Sequence, residues 1–335
     1  MYGWSDVFPL TKAFKKAAPW EHISDNNLFA FFDEKSKIPI ICSVLGNSEN
    51  TYGLAIYIGR EGLMSLVNTY LIENEWEQMN ILQTQHSILL TLEDRENLTK
   101  EEYAFLKKHK GSFRGKKAWP SYTSFRPGFY PWHCSNQEIG YIVQALERVL
   151  QLTEDVQAGL FIPSFPEEEK ILFQEWKQSK KGAEYTSIYV ENVHARLYQP
   201  QLALSELDLK RVKKVKKKVP ITVEFSYQYL FTPIQKRKEQ RPYFPVIVLA
   251  LDHADGSLIF HELFDTPIDT EVVQQMFLKT IHALRGFPEQ LIVDEKTEYH
   301  LIALLDELDI LDDLRDRLLH TEIFLEEMIA ATSDD

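Results

Sequence analysis

Cysteine is scarce in this chain: Cys42 and Cys134 are the only two among 335 residues. That excludes a disulfide framework and makes a reducing cytoplasm the expected compartment. Long apolar runs are missing too. The longest uncharged apolar stretch, Phe244 to Leu251, falls far short of the ~20 residues of a membrane span. Met1 to Trp20 intersperses Asp6, Lys12, Lys15 and Lys16 among its apolar residues, so neither a leader nor a membrane partner is expected. No Cys-x-x-Cys or His-x-x-x-His accompanies His133-Cys134, which argues against structural zinc there and makes Cys134 a small buried hydrophobe. There is no Gly-x-Ser-x-Gly elbow. The glycines between Gly53 and Gly62 precede no Gly-Lys-Ser/Thr, so they read as turn geometry rather than as a phosphate-binding loop.

What is present is globular. Hydrophobic residues at 44% and charged residues at 26% exclude a fibrous or disordered chain, and the length suits about two domains at ~150 residues each. Acidic residues outnumber basic ones 50 to 37, for a formal net charge of −13. The excess is uneven, since residues 241–335 hold 21 acidic against 6 basic residues. Basic residues gather in Lys210 to Lys218, in Lys236 to Arg241, and in a lesser cluster of Lys107, Lys108, Lys110, Arg114, Lys116 and Lys117. Such runs can neutralise phosphates, so Lys213, Lys214, Lys216 and Lys217 are the candidate nucleic-acid contacts. The favoured alternative is a solvated helix end or linker, which could dock onto the acidic C-terminal region of the same chain.

The pattern of residues divides the chain into a mixed α/β domain at 1–153, a linker with the basic segment at 154–219, and a second domain at 220–335. In the first, Leu28–Phe32, Ile38–Val44 and Tyr52–Ile58 read as a small antiparallel meander. Thr99 with Glu102, and Ser135 with Glu138, open helices through capping boxes. Pro163, Pro166, Glu167-Glu168-Glu169 and Lys180-Lys181-Gly182 suggest the bridge. In the second domain, Ile221–Leu230, Pro245–Asp252 and Ser257–Phe264 read as strands, the last two joined by the Asp255-Gly256 turn. Asp269 or Thr270 opens a helix stopped at Gly286. Leu291–Val293 is a short buried strand, and helices follow near Thr297–Leu308 and Leu311–Ala330.

This β-β-β-α-β-α-α order resembles the ribonuclease H-like fold of integrases and transposases, over about 115 residues from Pro220 onward. The resemblance implies an α+β chain whose second domain could hold Mg²⁺ or Mn²⁺ on carboxylates for phosphodiester cleavage. It places the first acid at Glu224, with Asp252 as an alternative. The second is Asp294, which would be a metal ligand, and the third is Glu322, Glu326 or Glu327. Glu224 stands where Asp is usual in that family, and Asp294 could instead cap the following helix. The wider chain is also similar to uncharacterised bacterial proteins built of two domains of unknown function. The matching stretches are Asp25–Ala30, Gly53–Leu63, Phe125–Trp132 and Arg241–Pro245; this likeness implies no activity.

Phe125 to Trp132 forms an aromatic, proline-bounded loop. Its Arg126, Tyr130 and Trp132 could clasp a ligand or stack on rings, or cover the first core. The expected function is therefore a non-enzymatic binding or regulatory module with a protein partner and no cofactor. The metal-dependent nuclease and the nucleic-acid binder without cleavage are the alternatives.

Overall fold

The apolar runs of the first half become the strands of one wide sheet. A computed structural model describes residues 2–46, 51–70, 81–176, 183–215, 217–265 and 267–333, and the chain divides into two compact units, Met1–Leu197 and Tyr198–Asp335. Each is a mixed α/β unit with its own mixed sheet.

In the first unit the expected meander is present as β1 (Phe29–Phe32), β2 (Pro39–Leu45) and β3 (Tyr52–Ile58), paired antiparallel. It is the middle of a larger sheet. β4 (Ser87–Glu93), β5 (Trp119–Arg126) and β6 (Phe129–Trp132) extend one side, and β7 (Lys170–Trp176) and β8 (Ala183–Tyr189) the other. The order is β6-β5-β4-β3-β2-β1-β7-β8, with β7 parallel to β1 and the other pairs antiparallel. The central strands are covered on both faces, which is why they read as continuous rather than alternating apolar runs. α1 (Trp4–Ala17) and α4 (Asn136–Gln157) cover the face carrying Phe29, Phe31, Cys42 and Ile56. α2 (Gly59–Thr69) and α5 (Val190–Leu197) cover the face carrying Ala30, Ile41 and Phe173. The capping boxes form as expected at Thr99, before α3 (Lys100–Lys108), and at Ser135, before α4.

The small antiparallel sheet and the bridge expected from residue 154 onward are both corrected by β7 and β8. Ile171, Leu172 and Phe173 are buried, and β7 pairs with β1, far away in sequence. Pairing at that range leaves no local signature, whereas the prolines and charges around it do. Residues 177–182, including Lys180-Lys181-Gly182, lie outside the described residues.

The second unit opens with α6 (Glu206–Val212), followed by β9 (Lys218–Tyr229), β10 (Val246–Asp252), β11 (Leu258–Phe264), α7 (Thr270–Leu284), β12 (Phe287–Val293), α8 (Glu295–Leu308), β13 (Asp312–Leu314) and α9 (Leu319–Ser333). The sheet order is β11-β10-β9-β12-β13. β9, β10 and β11 pair antiparallel, while β12 lies parallel to β9, and β13 to β12. Asp269 caps α7 by accepting from the Val272 N–H at 3.0 Å. Arg285, not Gly286, holds the left-handed residue at its end (φ 54°). Gly286 serves a close approach instead, because a Cβ there would stand 2.7 Å from the Lys217 carbonyl oxygen. β13 takes the start of the expected helix Leu311–Ala330, so that helix begins only at Leu319.

Side chains alternate across β9. Phe225 meets Phe277 of α7 edge-on at 5.3 Å between ring centroids, while Ser226 reaches Thr321 of α9 on the opposite face. Glu224 shares that second face.

Candidate functional site

Helix α9 begins without a side-chain cap of its own. The residue before it is Leu318, which is buried and apolar, so the orphan N–H groups of the first turn need an acceptor from elsewhere. Glu224 supplies it from the centre of β9. Its Oε2 accepts from the backbone N–H of His320 at 3.1 Å and of Thr321 at 3.2 Å. Its Oε1 lies 2.7 Å from Nδ1 of His253, the residue after β10. The Glu224 side chain is 1% exposed and that of His253 32%, so solvent reaches the cluster from the histidine side. Nε2 of His320 meets the His253 carbonyl oxygen at 3.0 Å, and the two rings stand nearly perpendicular, 5.7 Å apart. The Asp255-Gly256 turn closes the cluster. Gly256 has φ +75°, and a Cβ on it would fall 2.7 Å from His320 Nδ1, so both the turn and the ring require glycine there.

Among the described residues, Glu224, His253 and His320 form the one group of three His, Cys, Asp or Glu side chains placed to hold a single ion. The other acids named by the resemblance stand apart from it. Asp252 accepts from the Ala254 N–H at 2.9 Å and so shapes the turn. Asp294 caps α8, with Oδ1 accepting from the Thr297 N–H at 2.9 Å. Its Oδ2 accepts from Gln228 Nε2 at 3.1 Å and lies 3.7 Å from Lys296 Nζ. Burial pushes the Lys296 ammonium below its ordinary range, against the opposing pull of Asp294. Glu326 and Glu327 are exposed on α9, and Glu322 is paired with Arg317.

The aromatic loop is the β5–β6 hairpin at the edge of the first sheet. Its base is core: Tyr122 is buried and its hydroxyl meets Thr11 Oγ1 at 2.8 Å. Its tip is not. Tyr130 is 44% exposed, the Arg126 guanidinium sits 5.5 Å from the Phe129 ring centroid, and the half-buried Trp132 ring lies tilted to that of His133 with centroids 5.0 Å apart. Cys134 is half-buried against the first core. Of the lysine run, Lys213 pairs with Glu307 of α8, an instance of docking onto the acidic region. Lys214 and Lys217 are exposed, and Lys216 lies outside the described residues. In the first unit, Lys12, Lys15, Lys16 and Arg114 surround a cavity of about 280 Å³ floored by Phe113 and Ala118.

Sequence reasoning found Glu224 and missed both histidines. His253 and His320 are 67 residues apart and match no ligand spacing. The available signal was the strand order, which brings the end of β10 beside the middle of β9.

The chain is thus a two-unit α/β protein with each unit built on a mixed sheet. Residues 4–174, half of the chain, match the family model described as Domain of unknown function (DUF7309), and the chain belongs to that family. Residues 208–329 match a second, described as Domain of unknown function (DUF6930). Comparison with curated proteins gives no match. No helix among the described residues is long and apolar enough to cross a membrane.

Proposed function

We propose that this chain is a non-enzymatic binding or regulatory module of the cytoplasm whose second unit is a ribonuclease H-like scaffold. Support for the scaffold comes from the sheet order with β9 central, β10 antiparallel to the strands beside it, and helices after the third, fourth and fifth strands. Support for a role without phosphodiester cleavage comes chiefly from Asp294, which caps α8, bonds Gln228 and is not among the side chains that converge with Glu224. Two-metal cleavage needs carboxylates gathered around ions ~3.5–4 Å apart. The β5–β6 tip, with exposed Tyr130 and Arg126 beside it, is the contact surface for a protein partner.

Incubation of the full chain with DNA and RNA in Mg²⁺ or Mn²⁺ is expected to give no cleavage beyond that of Asp294→Asn. Metal-dependent cleavage abolished in Asp294→Asn and Glu224→Gln would overturn this reading. Tyr130→Ala and Arg126→Ala are expected to move stability by less than about 0.5 kcal/mol, as surface changes do. A melting temperature several degrees lower would make the tip part of the core rather than a contact surface.

A further inference from the structure

We infer that Glu224, His253 and His320 form a site for a single divalent transition-metal ion of the zinc type. Each residue offers one ligand atom, and the three atoms lie within 4.8 Å of one another, close enough for small side-chain rotations to bring them around one centre. The ligand set, two imidazoles and one carboxylate, suits Zn²⁺, Co²⁺ or Ni²⁺ and is poor for Mg²⁺ or Ca²⁺, which favour all-oxygen shells.

The carboxylate can ligate without giving up α9. Oε2 carries the two backbone N–H bonds, while Oε1 faces only the His253 ring among its hydrogen-bond partners, and each carboxylate oxygen has two lone pairs. A cation entering between Oε1 and the imidazole replaces the proton they share. Ordinary metal sites fix their ligands by hydrogen bonds behind them, and here the helix N–H groups hold Glu224 in that way. Three protein ligands leave at least one coordination position to water. Because the ligands come from β9, the β10–β11 turn and α9, an occupied site fastens the last helix to the sheet. This site shares Glu224 with the acids that the nuclease resemblance names but completes it with two imidazoles instead of Asp294, and it stands whether or not the binding-module reading does.

The test is titration of the chelator-stripped full chain with Zn²⁺, alongside the visible spectrum of the Co²⁺ form. One ion per chain is expected, with a tetrahedral or five-coordinate Co²⁺ signature. The melting temperature should rise by roughly 5–10 °C at a hundredfold excess over Kd. Mg²⁺ should do neither. His253→Gln, at a half-exposed position, and His320→Gln should each weaken Zn²⁺ by at least about 100-fold, with the far-ultraviolet dichroism unchanged. The inference fails if the double variant His253→Gln/His320→Gln binds Zn²⁺ as the native chain does. It also fails if the native chain binds no ion, or binds Mg²⁺ equally well.

Discussion

The two sheets hold their covering helices by different means. On the first, α4 is fastened mainly by apolar contact: Ile142, Leu146, Val149 and Leu152 are fully buried in a cluster continuous with β1 to β4 and α1, with Glu138 bonded to Ser124 and Gln144 to Asp33 beside them. On the second, the apolar cluster under α9 among the described residues is small: Ile247, Leu249 and Leu325, with Leu230, Phe324 and Met328 partly buried around them. The remainder is polar: Glu224 beneath the helix N-terminus, and Ser226 facing Thr321 at 3.4 Å. An apolar seam is non-directional and tolerant of small shifts. A buried carboxylate on two N–H groups is directional, and removing it leaves donors without partners. The second unit is therefore the one in which the first N–H groups of a covering helix rest on a single side chain from the sheet, Glu224.

That contrast can be broken or sharpened by substitution. The largest loss is expected from Leu146→Ala, about 3–5 kcal/mol from transfer and cavity together, read from chemical denaturation. Its effect should stay within the first unit, and equal destabilisation of the second would contradict two separate cores. Glu224→Ala should cost about 3 kcal/mol, because it leaves the His320 and Thr321 N–H groups and the His253 ring unanswered. Here the loss should concentrate in α9, and a cost below about 0.5 kcal/mol would mean that the apolar contacts alone hold the helix. The smallest effect is one of pH in the first unit. Burial alone would raise the Asp33 carboxyl, but hydrogen bonds from the Ser36 backbone, the Gln144 and Ser36 side chains and the Lys35 backbone hold it below its ordinary value. A carboxyl lowered by folding stabilises above its unfolded pKa of ~3.9, and this is lost as the pH falls through the folded value. Asp33→Asn should accordingly flatten the acid limb of stability below about pH 4, and an unchanged limb would reject the assignment.

How much of this was legible follows from how local each feature is. The capping boxes at Thr99 and Ser135 lie within four residues and were readable. So were β9 to β11, which alternate or run apolar, the last two joined by an Asp-Gly turn. β13 was not, because Asp312-Asp313-Leu314 is three residues long, acidic and devoid of strand pattern. β7 was hidden by its pairing with β1, and the start of α9 by a cap that comes from Glu224, 96 residues earlier. The resemblance to nuclease folds drew attention to Glu224 as a catalytic acid. The cap at Asp294 was legible as an alternative, but not its bond to Gln228, nor that two histidines with no common spacing would be brought to Glu224 by the register of β10 on β9.

Amide hydrogen exchange on the native chain and on Glu224→Ala is the most direct measurement of the Glu224 latch. The His320 and Thr321 amides should be protected in the native chain and lose that protection in the variant, while the β9 and β12 amides flanking position 224 keep theirs. Equal protection of His320 and Thr321 in both proteins would mean that α9 is held without Glu224.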